Sequence, residues 1–586
     1  MMQRLFGYVP CGLSAIGAGL VRSRRSVIRV LCSALYLCAI LYPAAMPPVR
    51  ASGPCDVPIA NSIVCENSKP GTPQSQWDLP NGDAGDPSIQ GFATSISVNK
   101  GDTINFKIDT DASSYRLDIY RMGYYGGMGA RLQATVYPSA TLPQSQPPCL
   151  FDAATRLTDY GNWAVSASWT IPSNAVSGIY FAKVTRFDTG GASQIIFIVR
   201  DDSGASDLLF QTSDTTWEAY NNYGGYALYE YLSTNNNRAY KVSYNRPFNN
   251  RGESGGPKEG FVWSAEYPMV RWLEANGYNV SYFTGVDSDQ RGALIKTHKV
   301  FLSVGHDEYW SGGQRANVEA ARAAGVNLAF FSGNEVFWKT RWESSIDGSN
   351  TPYRTLVSYK ETKANAMIDP QDPPTWTGTW RDPRFSPPFD GGRPENALSG
   401  VISMVNGPDY RAITVPGTYA NLRFWRNTGI ASLAPDQTAT LPAGTLGYEW
   451  DEDLDNGFRP AGLFDLSSTT INVPALLQDY GNTYAPGTAT HSLTLYRSSS
   501  GALVFGAGST NWSWGLDGNH DYSSSFGGPN PNGRAHATGH GQPVGRHGCS
   551  TRNASNRPDR RRRFHRYDSS YFADHIANEW RKCDKL

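Results

Sequence analysis

The sequence lacks several motifs that would identify a catalytic chemistry directly. It has no H-E-x-x-H zinc helix, no P-loop and no G-x-G-x-x-G after an apolar run. Its 8 cysteines are too scattered for a zinc site, which needs paired ligands at short spacing. No cysteine occurs between Cys149 and Cys549, so a thiol nucleophile is excluded from the long middle of the chain. Chemistry there must use histidine, carboxylates, phenols or a metal ion.

The chain also lacks a net charge and a long apolar run. Lys and Arg number 52 and Asp and Glu number 52, so the composition does not favour a nucleic-acid partner. The apolar run at residues 30–45 has about 16 residues, whereas a membrane span needs about 20. With 586 residues, the chain is long enough for about three or four domains. The oligomeric state stays open.

The N-terminus has the composition of a targeting segment. Arg24 and Arg25 precede the apolar run, and residues 49–51 offer small side chains where a signal peptidase reads. We therefore predict a signal peptide over residues 1–51, secretion or cell-surface localisation, and no stable membrane span after cleavage. The alternative is an uncleaved anchor.

Export would place the chain in an oxidising compartment. There, Cys55 and Cys65 are expected to form a local disulfide within an extended leader, residues 52–95. From residue 96 to residue 202 the signals are β, as in the alternation of Ile104, Phe106 and Ile108 with polar residues. We predict an immunoglobulin-like β-sandwich for this region.

Residues 203–533 alternate between predicted strands and helices. Residues 208–210 and 279–283 are expected to be strands, and residues 262–275 a helix that stops at Asn276-Gly277. This alternation predicts a doubly wound α/β core, followed after about residue 345 by additional β segments.

The stretch from residue 299 to residue 339 organises this domain. Two apolar runs, 300–304 and 326–331, flank a dozen helix-forming residues, which predicts a βαβ unit with parallel strands. His306 to Tyr309 follow the first run, and Asn334 and Glu335 follow the second. Both polar clusters should lie at the carboxyl ends of neighbouring strands, where ligands bind in open α/β sheets.

These polar residues can serve in different ways. His306 or Glu308 can act as the general base for a bound water, or Tyr309 can bind a hard metal ion as phenolate. Alternatively, Asp307 caps the following helix and Tyr309 only packs. Asn334 and Glu335 are further catalytic candidates, although Glu335 could equally pair with Lys339.

Aromatic side chains around these clusters can wall a pocket or simply pack. The candidates for substrate binding are Trp217, Tyr220, Asn221, Trp310 and Trp338.

Two further segments call for interpretation. Residues 451–457 carry alternate aspartates as in a calcium loop, but the glycine falls one place late, and a plain acidic turn is the other reading. The tail over residues 534–586 turns abruptly rich in His and Arg, and we interpret it as aberrant and out of frame. A solvated basic tail is the alternative.

Three blocks in residues 205–535 resemble the C-terminal domain of the N,N-dimethylformamidase large (beta) subunit family. The blocks are Gly305-His306-Asp307-Glu308-Tyr309, then Gly333-Asn334-Glu335-Val336-Phe337-Trp338, and Trp380-Arg381 with Gly392-Arg393-Pro394 and Gly400-Val401.

The resemblance implies a glutamine-amidotransferase-like core and an iron ion held by two tyrosines and a glutamate, which activates water against an amide. Tyr309 would be one ligand, and Tyr278 or Tyr282 the second. The glutamate is expected shortly before Trp380, where residues 375–379 contain no carboxylate. This departure weakens the expectation of iron.

Two hypotheses follow for a small-molecule partner. The first is an exported hydrolase of C–N bonds, with or without a metal ion, centred on His306, Glu308 and Tyr309. The second is a non-catalytic secreted or surface protein that holds a carbohydrate or small ligand in the aromatic cleft.

Overall fold

The computed structural model describes residues 53–79, 84–251, 260–384, 392–407 and 410–521. The predicted signal peptide and the aberrant tail lie outside these residues. The chain divides into two units, Met1–Asp56 and Val57–Leu586, and every described helix and strand lies in the second. None of the described helices has both the length and the apolar character that crossing a membrane requires. Cys55 and Cys65 are disulfide-bonded, as predicted.

The N-terminal part of the second unit is a β-sandwich. One sheet has the order β1-β3-β8 and the other the order β2-β10-β9-β4-β5. The strands are β1 (Ile89–Ala93), β2 (Ser97–Asn99), β3 (Thr103–Thr110), β4 (Tyr115–Met122), β5 (Ala130–Val136), β6 (Leu150–Asp152), β7 (Leu157–Asp159), β8 (Ala167–Thr170), β9 (Gly178–Arg186) and β10 (Ala192–Arg200). The predicted alternation holds in β3, where Ile104, Phe106 and Ile108 point into the core between the two sheets.

The inner strands of the five-stranded sheet are buried on both faces. Phe181 of β9 lies on the outer face, 5.2 Å from the ring of Trp263 and 6.1 Å from that of Trp77. This face shares one hydrophobic core with residues as distant as Trp512. The predicted domain boundary at residues 202 and 203 stays a prediction.

The rest of the described chain is also rich in strands. They are β11 (Leu208–Thr212), β12 (Lys241–Ser243), β13 (Val280–Thr284), β14 (Val300–His306), β15 (Tyr309–Ser311), β16 (Asn327–Gly333), β17 (Trp338–Glu343), β18 (Thr355–Val357), β19 (Ile402–Asn406), β20 (Thr414–Pro416), β21 (Thr438–Thr440), β22 (Glu449–Glu452), β23 (Phe464–Asp465), β24 (Thr469–Leu477), β25 (Tyr484–His491), β26 (Thr494–Arg497) and β27 (Leu503–Gly506).

The α-helices are few and short. They are α1 (Ser62–Asn67), α2 (Gln74–Trp77), α3 (Asp214–Tyr220), α4 (Tyr267–Ala275), α5 (Gly285–Gln290), α6 (Gly312–Ala323) and α7 (Asn396–Ser399). Helix α4 starts five residues later than residue 262, because Pro268 has no N–H and so fits the first turn of a helix. It ends where predicted, with Gly277 in the left-handed region at φ +68°.

A seven-stranded sheet lies at the centre, in the order β13-β11-β14-β16-β27-β26-β23. Its first five strands run parallel, β26 is antiparallel to β27, and β23, which is antiparallel to β26, runs in the same direction as the first five. The predicted βαβ unit is present as β14, α6 and β16. A closed four-stranded sheet, β19-β22-β25-β24, is formed by segments that come after this βαβ unit in the chain.

Over the residues that the structure describes, the chain is mostly β-sheet in several sheets, with few helices. These elements do not establish the doubly wound core that we predicted. The reason is the connection from β16 to β27, whose described residues form ten strands and, as α-helix, the short α7.

Candidate active site

The site forms where β14 and β16 end side by side. His306 is the last residue of β14 and pairs in register with Gly333, the last residue of β16. Asn334 comes next, at φ +50°, and its Nδ2 atom lies 3.2 Å from Nε2 of His306. The structure therefore brings together the two polar clusters, as the parallel βαβ unit predicts.

His306 is fully buried between two carboxylates. Its Nε2 atom lies 2.8 Å from Oε2 of Glu449 and 3.4 Å from Oε2 of Glu308, and its Nδ1 atom lies 3.1 Å from the hydroxyl of Tyr448. Burial disfavours the imidazolium, but the two carboxylates outweigh it and raise the pKa of His306. The ring is thus held ready to carry and give up a proton.

Glu449 comes from β22, far along the chain. Its Oε2 atom also accepts a hydrogen bond from Asn334 Nδ2 (3.0 Å), and its Oε1 atom accepts one from Asn406 Nδ2 (2.9 Å). These two amides orient the carboxylate toward His306. Glu449 and His306 therefore form a pre-positioned proton-transfer unit.

Glu308, which lies near the same Nε2 atom of His306, accepts hydrogen bonds from two phenols. The hydroxyl of Tyr229 donates to both of its carboxylate oxygens (2.8 and 2.9 Å), and the hydroxyl of Tyr220 donates to Oε2 (3.2 Å). The rings of Tyr220 and Tyr229 stack with their centroids 4.3 Å apart. Burial raises the pKa of Glu308, while His306 opposes this shift. A carboxylate with a raised pKa is suited to accept a proton near neutral pH.

Tyr309 lies next to this group. It is fully buried, and its ring centroid is 6.4 Å from that of Tyr229 and 5.1 Å from Nζ of Lys360. Burial and the charge of Glu308 raise the pKa of Tyr309 well above its usual value. The residue therefore stays a phenol rather than a phenolate.

Asp307 and Glu335 lie behind the site and share one serine. Ser303 Oγ donates to Oδ2 of Asp307 (2.8 Å) and lies 3.2 Å from both carboxylate oxygens of Glu335. Burial raises the pKa of Asp307 to about 7 and that of Glu335 well above its usual value. Asp307 does not cap α6, because the N-cap is Ser311, whose Oγ accepts from the N–H of Gln314. We therefore assign Asp307 and Glu335 to the support of the strand ends.

Of the predicted aromatic wall, Tyr220 and Trp338 reach the site. Trp338 lies 4.9 Å from Nζ of Lys360, measured to the ring centroid. Trp217 instead donates its Nε1–H to Glu266 (3.0 Å).

Asn221 and Trp310 also lie elsewhere. Asn221 donates to the carbonyl oxygen of Pro247 (2.9 Å). Trp310 is fully buried, with its ring 6.4 Å from Phe330. Both residues serve packing and loop structure in these contacts.

The two candidates for a second tyrosine ligand are engaged elsewhere. Tyr282 donates its hydroxyl hydrogen to Glu274 (2.9 Å), and Tyr278 stacks on Trp272 with centroids 5.3 Å apart. Neither of these contacts brings the tyrosine hydroxyl to Tyr309.

The segment expected to supply the glutamate ligand, just before Trp380, has threonine side chains that make other contacts. Thr377 Oγ1 donates to Glu361 (3.0 Å), and Thr379 Oγ1 donates to a backbone carbonyl oxygen 2.7 Å away. The residues present therefore do not fit the iron site that the resemblance implies.

The acidic segment after Glu449 does not fit a calcium loop either. Oδ1 of Asp451 accepts the N–H of Asn334 (2.9 Å), and Asp453 pairs with Arg459 (2.6 Å). Within the described ranges, no group of three or more His, Cys, Asp or Glu side chains is arranged to hold a metal ion.

Four residues of the site are not among those predicted from the sequence: Tyr229, Lys360, Tyr448 and Glu449. Glu449 stands two residues before the acidic segment 451–457. The other three stand in irregular segments without a periodic pattern, so no local signal marks them.

Replacing Gly333 by Ala is expected to destabilise the fold by about 1–3 kcal/mol, the usual cost of overpacking. An added Cβ would lie 2.5 Å from the backbone N of Thr510 and 2.6 Å from the carbonyl carbon of Ser509, which are backbone atoms with little freedom to move. Urea denaturation measures the loss.

Gly312→Ala is the matched control for that change. The nearest atom to its added Cβ is Cε of Lys339 at 3.8 Å, and the residue lies in α6. We expect no loss, or a gain of about 0.5–1 kcal/mol from the helix. Equal stability of Gly333→Ala and the native protein would contradict the close approach of the two backbones.

The stability of the protein is expected to fall as pH rises from about 4 to about 7, and Asp451→Asn should remove part of this slope. Burial raises the pKa of Asp451 to about 7. The folded state therefore holds a proton that the unfolded state has released, and this contribution disappears as pH passes the folded pKa. The same applies to other buried carboxyls whose pKa is raised to about 7, namely Asp214, Glu218, Asp307 and Glu361.

Asp479→Asn is the control of opposite sign. Burial alone would raise the pKa of Asp479, but the N–H groups of Gly481, Asn482 and Thr483 lower it to about 2. Its contribution is present above the unfolded pKa and is lost as pH falls toward 2. Thermal unfolding from acid to neutral pH distinguishes the two variants, and an unchanged slope in Asp451→Asn would refute the assignment.

Comparisons with known proteins agree with the sequence motifs. The family model described as N,N-dimethylformamidase beta subunit-like, C-terminal, matches residues 116–524. The match begins within the sandwich, earlier than residue 205, where the resemblance in the motifs begins. No curated protein sequence matches the chain.

Among solved structures, 62 chains match. One is the 1.4 Å crystal structure of an uncharacterized protein from Bacillus anthracis str. Ames. It is 13% identical, and the match covers 18% of this chain and 82% of that chain with a TM-score of 0.13, so it carries no argument. The family model, by contrast, spans well over half of the sequence. The chain therefore belongs to the N,N-dimethylformamidase beta subunit-like, C-terminal, family.

Proposed function

We propose that this protein is an exported hydrolase that cleaves a C–N bond of a small amide. The observation that carries the proposal is the buried His306, placed between Glu449 and Glu308 at the ends of two parallel strands. Family membership supports a hydrolase-like function.

In this mechanism Glu308 takes a proton from the attacking water, and His306 gives a proton to the departing nitrogen. Glu449 lies 2.8 Å from Nε2, where it holds the ring in place and stabilises the imidazolium, so the proton for the departing nitrogen comes from Nδ1, which lies 3.1 Å from the Tyr448 hydroxyl. The water oxygen bonds to the amide carbon, the C–N bond breaks, and the products are a carboxylic acid and an amine. Since the donors around Tyr309 do not fit iron, no step uses a metal.

The finer features of the fold belong to the same proposal. The parallel order β13-β11-β14-β16-β27 supports a glutamine-amidotransferase-like core, and the two packed sheets support an immunoglobulin-like sandwich. The disulfide of Cys55 and Cys65 is in keeping with export, for which the arginine-rich leader is the main argument.

The second candidate function is non-catalytic binding of a carbohydrate or small ligand. Tyr231 favours it, because this side chain is 63% exposed and its ring lies 5.7 Å from that of Tyr229. An exposed aromatic ring at the edge of a site can stack on a sugar or another flat ligand. The burial of Trp217 and Trp310 removes two of the expected stacking platforms.

The test is an assay of the full chain against N,N-dimethylformamide, formamide and acetamide, with amine or ammonia release as the readout. We expect turnover in the native protein and none above background in His306→Gln. His298→Gln is the matched control, because this histidine contacts the carbonyl oxygen of Leu294 (2.8 Å), outside the site. Absence of turnover with every amide would favour the binding protein, and stoichiometric iron in the active protein would revive the metal-dependent mechanism.

A further inference from the structure

Lys360 is a fully buried lysine that the hydrolytic mechanism does not use. It follows β18, with its backbone at φ +52°, and its N–H donates to the carbonyl oxygen of Thr377 (3.2 Å). A left-handed backbone costs free energy for a residue with a side chain. The chain therefore holds this lysine in place against a local preference.

Three aromatic rings enclose the amine. Nζ lies 3.6 Å from the ring centroid of Tyr229, 4.9 Å from that of Trp338 and 5.1 Å from that of Tyr309. We name these three rings the lysine cage. The amine has no hydrogen-bond partner among the residues that the structure describes. A buried polar group without a partner is costly, so its presence calls for an explanation.

The surroundings of the amine favour its neutral form. The desolvation cost of a buried ammonium exceeds what cation–π contacts return. Burial, with a smaller contribution from the like charge of Lys363, lowers the pKa of Lys360 well below its usual value, while Glu308 opposes the shift. The charged and titratable groups that face it are Glu308, Tyr229, Tyr309, Glu230, Arg238 and Lys363.

We propose that Lys360 is a carbonyl-reactive lysine, whose amine forms an imine with a small aldehyde or ketone inside the lysine cage. An enclosed amine without a competing partner presents its lone pair to an incoming carbonyl carbon. The flat aromatic walls of Tyr229, Tyr309 and Trp338 suit a small, uncharged carbonyl compound. This activity is separate from amide hydrolysis and does not depend on it.

The reaction balances with groups already present. The amine lone pair bonds to the carbonyl carbon, and the carbonyl oxygen takes up the proton that the nitrogen loses, which leaves a carbinolamine. Glu308 lies in the same cluster, where the Tyr229 hydroxyl donates to it, and it can protonate the departing hydroxyl. Water leaves, the C=N bond forms, and the second amine proton returns to Glu308.

Solvent is close to the cage on one side. Tyr231 is exposed, and its ring lies 5.7 Å from that of Tyr229, which in turn lies 3.6 Å from Nζ. The amine is thus two rings away from solvent, and a shift of Tyr231 or Tyr229 would open a path for a small molecule.

Reductive trapping tests this proposal on the full native chain. The protein is incubated with acetaldehyde and sodium cyanoborohydride at neutral pH, and peptide mass spectrometry maps the ethylated lysines over time. We expect Lys360 to be alkylated at least about tenfold faster than any surface lysine, because surface amines are almost fully protonated at this pH. Lys360→Met should lose this fast labelling and keep that of the surface, and Lys363→Met is the matched control that should retain it.

The pH profile separates the proposal from a merely structural role. Labelling of surface lysines should rise about tenfold per pH unit below their pKa, whereas that of Lys360 should stay nearly flat from neutral pH upward. If Lys360 stays unlabelled, or follows the slope of the surface lysines, the proposal is wrong. Should Lys360→Met fail to fold, the mapping on the native chain still decides. If the native protein shows no amide turnover, Lys360 can still be trapped. The failure of the proposed hydrolysis is therefore distinguishable from the failure of this proposal.

Discussion

Amide turnover should fall by about 10²–10⁴-fold when Glu449 is replaced by Gln, the range expected on loss of a general acid–base unit. The carboxylate of Glu449 lies 2.8 Å from Nε2 of His306, and its charge raises the pKa of that ring. Without this charge, burial favours the neutral imidazole, whose remaining N–H is too weak an acid to protonate the departing nitrogen at neutral pH. The rate should therefore fall mainly in kcat.

The pH profile of Glu449→Gln gives a second readout. A raised pKa keeps His306 protonated to higher pH, so the variant should lose activity at a lower pH than the native protein. Glu452→Gln is the matched control on the same strand, because Glu452 accepts the N–H of Thr490 (2.5 Å) instead of contacting His306. Native kcat in Glu449→Gln would remove His306 from the mechanism.

The largest effect on stability is expected from Glu274→Gln, which should cost about 3–5 kcal/mol. Glu274 of α4 pairs with Arg121 of β4 at 2.7 and 2.9 Å, and both side chains are fully buried. The glutamine would leave the buried guanidinium without its directly paired carboxylate. This pair joins the sandwich to the following helix, so urea denaturation should show an early loss of the whole cooperative unit.

Two further variants make that result interpretable. Arg121→Met combined with Glu274→Leu should recover most of the stability, because an apolar pair no longer buries a charge. Asp207→Asn should cost only about 0–1 kcal/mol, because its partner Lys299 is largely exposed and the pair lies in solvent. A cost for Glu274→Gln as small as that of Asp207→Asn would show that water reaches the buried pair.

Several elements followed from local pattern alone. The alternation in β3 and the two apolar runs around α6 predicted strands and a parallel unit, because side-chain periodicity and the right-handed crossover are local constraints. The same reasoning placed His306 and Asn334 at one edge of a sheet. The family motifs around Tyr309 were also local.

Other side chains have neighbours that local pattern does not predict. The helix-capping role suggested for Asp307 belongs to Ser311, and the aromatic side chains of Trp217 and Trp310 pack in the core. A buried tryptophan and a pocket tryptophan have the same sequence signal. Which one results depends on the elements that pack against it.

The sequence by itself determined the strand ends that carry His306 and Asn334, the disulfide of the leader and membership of the family. Only the tertiary structure decided that Glu449, Tyr229 and Lys360 complete the site. These residues come from separate segments, brought together by sheet pairing and core packing over long chain separations. Periodicity within a segment reports which face is buried but not which distant segment lies against it, so the partners of a catalytic histidine stay hidden until the chain is folded.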